Sequence, residues 1–493
     1  MARLPQLAAV RKSDVIVRMA APESDELREN LFRRYPSKEW ATFARFGWRE
    51  VPSGLILTLA GLEPQLEGDL DPTVSNVAFQ EPYTLRTALR AEDHPFALGV
   101  CHSHPEDCLP RPSHIDDDMD RYFAEYFADF APGRPYVSLI AARVDGEFAV
   151  AGRVRWRGDW LLVTRFAIER VPLRTWLGGA RPAADAAVRP RTARLAAAFG
   201  EEAEAHLRRA TVAVIGAGGT GSAAIEILAR AGVGRLIIID PDALADSNLE
   251  RVHGSEPNQA REEIAKVAVA RDHVRRIDPT CKVTTIRGAL PQPVVVDAVV
   301  QADVALGCTD QQHSRLALSD LAFRYLVPSI DCGVVLEGNA GRVTGQVVQL
   351  VRFLAADPCA LCREMTDPRR LAQELMSEEE RHQRQAAAAA AAERGEDPDP
   401  YWRGMPQLNT VGYLTTTAGA IAAGYAIGWL TGRFDPPFGR VQLNFVGRFL
   451  DVADADGDSR PDCSCHRARG WADQGAAEAL ITAPEHWPRA VEL

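Results

Sequence analysis

Two histidines, a serine and an aspartate fall close together in GVCHSHPEDCLPRPSHIDDDMD, and their types are those of a hydrolytic metal centre. His102 and His104 end an apolar run that reads as a strand. Alternation along a strand sends residues two apart to the same side. Ser113 follows a proline-rich loop and suits the N-cap of a helix, with Asp116 one turn further on. Two imidazoles and one carboxylate hold zinc with its fourth tetrahedral position open, as a catalytic rather than a structural site requires. Zinc in such a site lowers the pKa of water toward ~7.

A second chemistry is written in VAVIGAGGTGS, where Gly216, Gly218, Gly219 and Gly221 lie between a predicted strand and a predicted helix. Glycines there let the backbone approach a phosphate, and the helix N-terminus favours its charge. Asp240 ends the next strand, about 20 residues on, where a carboxylate can bond a ribose hydroxyl. On its own this loop suits a nicotinamide dinucleotide as well as ATP.

Of the nine cysteines, Cys359 and Cys362 form PCALC, and Cys463 and Cys465 form DCSC. Two close pairs far apart in sequence suit a tetrahedral thiolate zinc that ties the later segment to the body of its domain. Cys308 and Cys332 lie in apolar strand-like runs and read as core.

The elements that must carry these groups divide the chain in three. Residues 1–175 open with an amphipathic helix around Asp25–Arg34, followed by strand-like runs GLILTLAGL, FALGVCHSH, YVSLIAARV and FAVAGRVRW. Residues 176–200 read as a linker that becomes helical toward its end. From 201 to 493, apolar runs TVAVIGAGG, RLIIIDPD, KVTTI and ADVALGC alternate with helical segments, the pattern of βαβ units and a doubly wound sheet. A helical insertion is expected around 363–405, with Ser377–Pro400 as a solvent-facing helix and mobile loop. Nothing from Gly404 to Gly432 is charged, but Gly, Ala and Thr outnumber large aliphatics. A buried helix ending near Trp429 is expected there rather than a membrane span.

Composition excludes several classes. At 46% hydrophobic and 25% charged, the 493 residues suit a cored globular protein of two to four domains. With 56 basic against 67 acidic residues the net charge is −11, which disfavours nucleic acid as a partner. The opening MARLPQLAAVRKSDVIV has no long apolar core of a signal peptide, which places the chain in the cytoplasm without a membrane partner.

HSHP followed by Ser113 and Asp116 resembles the JAB/MPN metalloprotease family, with one residue more in the intervening loop. The resemblance implies an N-terminal α/β domain, a mixed sheet with flanking helices, that cleaves peptide or isopeptide bonds next to a ubiquitin-like protein. It makes Glu39 in KEWATFARFGW the general base, with Glu50 as the alternative, and lets Ser113 help hold the oxyanion. A binding domain that keeps the zinc shell without turnover is the rival there.

DPDALADSNLERVHG, the lysine of EEIAKVAVA and GCTDQQHSR, in that order, resemble the adenylating enzymes typified by ThiF, MoeB and the ubiquitin-activating enzymes. The resemblance covers roughly residues 190–450 and implies a Rossmann-like, doubly wound adenylation domain that uses ATP and Mg2+. Asp240 then holds the ribose, Asn248, Arg251 and Lys266 grip the phosphates, and Asp310 binds magnesium. Arg194, or alternatively Arg191, reaches the ATP site of a partner in a homodimer.

Together the two resemblances imply ATP-dependent adenylation of the C-terminal carboxylate of a ubiquitin-like protein, joined to zinc-dependent cleavage of the same modifier. Such pairings belong to bacterial ubiquitin-like conjugation, with antiphage defence as a lead. No cysteine lies between Arg363 and Pro461, so the modifier leaves as an acyl-adenylate or passes to a cysteine of a ubiquitin-conjugating-like enzyme. The alternative is activation and processing of a sulfur-carrier protein for thiamin- or molybdopterin-type cofactor synthesis. A nicotinamide-dependent oxidoreductase is the rival from another class, disfavoured by SNLER and CTD.

Overall fold

Period-two alternation in the first third of the chain builds one nine-stranded mixed sheet. The computed structural model describes residues 14–73, 76–104, 109–144, 146–169, 174–176, 188–339, 341–404, 410–446, 451–453 and 459–493. In chain order the first elements are β1 (Asp14–Ala20), α1 (Ala21–Phe32), β2 (Ala41–Val51), β3 (Gly54–Leu62), β4 (Leu70–Pro72), β5 (Val77–Phe79) and α2 (Glu81–Glu92). There follow β6 (Ala97–Ser103), α3 (His114–Phe130), β7 (Tyr136–Val144), β8 (Glu147–Trp156), β9 (Asp159–Leu162), β10 (Arg165–Glu169) and β11 (Arg174–Trp176). The sheet order is β11-β10-β1-β3-β2-β6-β7-β8-β9, with β4 and β5 paired apart from it. The four strand-like runs of the sequence are β3, β6, β7 and β8. The first helix starts four residues earlier than expected, because Pro22 in its first turn needs no hydrogen-bonded N–H.

One face of this sheet buries Val15, Val17, Leu55 and Leu57 beneath Leu27 and Leu31 of α1. The other face is covered twice. Phe43, Leu98 and Val100 pack under Phe123 and Phe127 of α3. Ile16, Val51 and Ile56 join the core of the second half of the chain.

That second half contains α4 (Ala193–Phe199), α5 (Glu201–Arg209), β12 (Thr211–Ile215), α6 (Gly219–Ala231), β13 (Arg235–Ile239), α7 (Pro257–Arg261) and α8 (Lys266–Ile277). It continues with β14 (Lys282–Arg287), α9 (Pro293–Val299), β15 (Val304–Gly307), α10 (Gln312–Arg324), β16 (Ser329–Asn339), β17 (Arg342–Phe353), α11 (Pro368–Leu375) and α12 (Glu378–Glu393). Last come α13 (Gly412–Thr431), β18 (Arg440–Asn444), β19 (Asp451–Ala453), α14 (Ser464–Arg467) and β20 (Val491–Glu492). The order is β19-β18-β17-β16-β15-β12-β13-β14-β20. Strands β16, β15, β12, β13 and β14 run parallel. The chain winds one way from β12 to β14 and the other way from β15 to β16. That reversal opens a crevice beyond the carboxyl ends of β12 and β15.

The uncharged stretch is the helix α13, which lies against α6 with Ala418, Ala422, Ala426 and Trp429 buried. Among the described residues no helix is long and apolar enough to cross a membrane. The polyalanine run is α12, but it is not wholly solvent-facing: Ala388 and Ala391 are buried.

The two halves are joined by more than the linker. Arg49 pairs with Asp297 at 2.7 Å and Asp473 at 2.7 Å, and Arg165 with Asp303 at 2.8 Å. A late segment clasps the first sheet. Arg469 meets Glu23 at 2.7 Å, Thr58 donates to the Gly470 carbonyl at 2.6 Å, and Trp471 stands edge-on to Phe96.

Candidate active sites

His102 lies on β6 between Ala41 of β2 and Ile140 of β7, and the chain leaves the sheet at His104. Helix α3 brings the carboxylate. The Ser113 hydroxyl accepts the Asp116 amide at 3.2 Å, while the Ser113 amide donates to Asp116 Oδ2 at 2.5 Å. This capping box aims Asp116 at the imidazoles: His102 Nε2 is 3.0 Å from Oδ1, and His104 Nε2 is 3.5 Å from Oδ2. His102 is buried, and neither of its ring nitrogens has a hydrogen-bond partner. An orphaned imidazole nitrogen facing a carboxylate and a second imidazole fits a metal ion. The ligand atoms of all three residues lie within 4.8 Å of one another. Behind them, Arg153 of β8 holds Asp117 and Asp120 at 2.6 Å each and so locks α3 to the sheet.

Glu39 sits at the entry to β2, fixed by its neighbour. The Trp40 amide donates to the Ser103 hydroxyl at 3.0 Å, and the Ser103 amide to the Trp40 carbonyl at 2.9 Å. Burial raises the Glu39 carboxyl above its ordinary range, against the pull of His102 and His104. Glu50 lies at the other end of β2, paired with Arg157 at 2.7 Å. The structure therefore brings Glu39, not Glu50, to the histidines.

The crevice of the second half is a cavity of about 430 Å³ lined by Gly216, Gly218, Gly219, Asp240, Arg251, Lys266 and Asp310, among others. Gly216 takes φ +99°, and a Cβ there would stand 2.5 Å from the Cys308 carbonyl oxygen. Gly218 caps α6 with open space where a side chain would project. Gly221 does not line the cavity. It packs under the turn, where a Cβ would meet the Gly216 oxygen at 1.7 Å.

Asp240 is buried and accepts the amides of Ala217 at 2.7 Å and Asp242 at 2.9 Å. Lys266 Nζ sits 2.8 Å from Asp242 and 4.0 Å from Asp240. Asn248 is placed differently from its expected role. Its Oδ1 accepts the Ala245 amide at 3.1 Å and closes a 3-10 turn, and the residue does not line the cavity. Arg191 pairs with Asp278 at 2.8 Å, an anchor of the fold. Arg194 is exposed on α4, outside the cavity of its own chain.

Cys359 and Cys362 meet Cys463 and Cys465 across the fold, with sulfurs 3.6 and 3.7 Å apart between the pairs and all four within 4.8 Å. This thiolate set fits a tetrahedral zinc. Cys308 and Cys332 line the cavity with sulfurs 3.5 Å apart, both buried. Their mutual hydrogen bond and burial push the Cys332 thiol well above its usual range, so it is a poor nucleophile.

Three further groups line the cavity, the first within a motif singled out in the sequence and the other two missed there. Arg315 pairs with Asp331 at 2.8 Å, Arg370 of α11 pairs with Asp310 at 3.1 Å, and Thr415 of α13 faces Gly219. The arginine of GCTDQQHSR was a visible signal for the first. For Arg370 and Thr415 there was none, since each lies in a segment without a motif.

Comparison with known proteins matches residues 191–466 to the ThiF family. The chain is 32% identical over 166 residues to the molybdopterin-synthase adenylyltransferase of Salmonella typhimurium, covering 33% of this chain and 62% of that protein. It is 30% identical over 170 residues to the adenylyltransferase and sulfurtransferase UBA4 of Eremothecium gossypii, covering 34% of this chain and 36% of that protein. The chain thus spans less than two thirds of these relatives. Among solved structures, E. coli MccB aligns with a TM-score of 0.43 at 18% identity, covering 57% of this chain and 75% of MccB.

Proposed function

The chain belongs to the ThiF family, and we propose that it adenylates the C-terminal carboxylate of a small ubiquitin-like or sulfur-carrier protein. The observation that carries this reading is one cavity, at the sheet's switch point, into which a glycine turn, Lys266, Arg251 and Arg315 all face. An oxygen of the tail carboxylate forms a bond to the α-phosphorus of ATP, and the bond from that phosphorus to pyrophosphate breaks. Negative charge grows on the departing pyrophosphate, and fixed cations stabilise it there. Asp240 would bond the ribose, and Asp310 would hold the magnesium that accompanies ATP. Arg194, turned away from its own cavity, acts on the cavity of a second copy in a homodimer.

ATP–pyrophosphate exchange with ubiquitin-like proteins encoded beside the gene tests the reading. Exchange that requires both such a protein and Asp310 supports it; exchange indifferent to Asp310→Ala overturns it. The relatives named for molybdopterin synthase and for sulfur transfer favour a sulfur carrier as substrate. A ubiquitin-conjugating-like partner would instead take the adenylated tail onto its own cysteine, since the cavity thiols here are buried.

For the first half we read a JAB/MPN-type zinc peptidase acting on bonds to the same tail, in the cytoplasm. His102, His104 and Asp116 would hold the ion, which supplies Lewis-acid activation of water at neutral pH. Glu39, lifted in pKa by burial, takes a proton and returns it to the leaving amine. Ser113 offers its hydroxyl hydrogen to the developing oxyanion. Zinc-dependent cleavage of a modifier extended past its tail tests this half separately from exchange.

A further inference from the structure

Helix α11 enters the nucleotide cavity from the inserted segment. Arg370 lines it together with Lys266, Arg251 and Arg315. Its Nη2 lies 3.1 Å from Asp310 Oδ2, and its Nε lies 3.3 Å from Glu374 Oε1. Glu374 is itself fixed on the first turn of α10. It accepts the amides of Gln312 and His313 at 3.0 Å each and faces His313 Nδ1 at 2.9 Å. Burial opposes the charge of Glu374, but these hydrogen bonds hold its carboxyl below the usual range. An ionised carboxylate at a helix N-terminus is stabilised by the helix dipole. Glu374 therefore docks α11 onto α10 and orients Arg370 over the loop that carries Asp310.

The pairing gives Asp310 a guanidinium where a magnesium ligand needs a free carboxylate. Asp310 is 65% exposed, so little but Arg370 holds it. A magnesium nucleotide that engages Asp310 releases the guanidinium among phosphate oxygens. Those oxygens accept the same planar pair of N–H donors as a carboxylate does.

The geometry points to Arg370 as a phosphate-contacting residue of the adenylation reaction, supplied from within the chain. It pairs with Asp310 before nucleotide binds and turns to the departing pyrophosphate once Asp310 takes magnesium. This inference rests on the adenylation reading. The electron pair of the broken phosphorus–oxygen bond leaves on pyrophosphate, and Arg370 meets that charge beside Lys266 and Arg251.

The test is titration of the full chain with ATP, with and without magnesium, comparing wild type, Arg370→Ala and Arg370→Lys. Arg369→Ala, at an exposed neighbour on the same helix, is the control. Loss of a charge-assisted contact predicts magnesium–ATP binding ~10-fold weaker in Arg370→Ala, with little change when magnesium is left out. Arg370→Lys should lie between, Arg369→Ala should match wild type, and pyrophosphate exchange should fall ~100-fold in Arg370→Ala. Magnesium–ATP binding to Arg370→Ala as tight as wild type, or tighter, would make Arg370 only a guard of Asp310 and overturn the inference. A wild-type chain that binds no ATP overturns the adenylation reading, and this inference with it.

Discussion

The guanidinium of Arg18, on β1, donates to the carbonyl oxygen of Ala302 at 2.7 Å, across 284 residues of sequence. It also donates to the Tyr325 carbonyl at 3.3 Å. Ala302 lies in the turn between α9 and β15 and Tyr325 closes α10, so one buried side chain ties a turn and a helix C-terminus of the other half to β1. Arg18→Met keeps most of the volume and leaves both carbonyls without a donor. It is expected to cost about 2–5 kcal/mol. The midpoint of denaturant unfolding should fall, with the slope unchanged, if the two halves unfold together.

Glu226 on α6 gathers three partners: Arg230 at 2.8 Å, His253 Nδ1 at 3.1 Å and His273 Nε2 at 3.3 Å. Partial burial works against its charge, but these hydrogen bonds outweigh it and pull the carboxyl down to about 2. A carboxyl whose pKa is depressed on folding stabilises the fold above its unfolded value. That contribution disappears as the pH falls through the folded value. Glu226→Gln should therefore lose about 1–2 kcal/mol at neutral pH, allowing for solvent screening. Acid titration of unfolding should show variant and wild type converging as the pH drops from about 4.5 toward 2.

Glu39→Gln should abolish cleavage by the first half, with a loss of roughly 10²–10⁴-fold, and leave the zinc content unchanged. Glu50→Gln, at the far end of β2, should change neither cleavage nor zinc content. Equal loss in both variants would show that the position of Glu39 beside β6 has no part in the chemistry.

Metal analysis of the full chain should find two zinc ions, one for each ligand cluster. His104→Ala should remove one and spare pyrophosphate exchange. Cys465→Ser should remove the other and lower the thermal midpoint by about 5 °C or more. A chain that retains both ions in Cys465→Ser would rule out the four-cysteine site.

Much of this was legible from the residues, for local reasons. The strands β3, β6, β7 and β8 carry their period-two pattern within nine or ten residues, and the ligands of the first cluster lie within one loop of each other. Arg18 was not legible. In DVIVRMA it alternates with buried neighbours and reads as the solvent side of a strand, yet it is 1% exposed. The second half of the chain covers that face, and no pattern internal to β1 announces the cover. Arg370 was hidden for a related reason: it lies sixty residues from Asp310, in a polar segment whose docking depends on Glu374. For Asn248 the motif gives only its place in the chain, and its amide oxygen serves the turn, a use the motif does not announce.

The junction has a consequence for the order in which the protein is made. The face of the first sheet that carries Ile16, Ile56 and Arg18 is covered by α9, α10 and the clasp through Arg469, Gly470 and Trp471. The two helices leave the ribosome about 120–150 residues after the first sheet ends at Trp176, and the clasp some three hundred residues after it. At ordinary rates of elongation the nascent first half waits roughly 6–30 s with that apolar face bare and Arg18 without its carbonyl partners, and roughly 15–60 s for the clasp. During that interval the growing chain is a client for chaperones, and its first half reaches its native surroundings only once residues 469–471 have emerged.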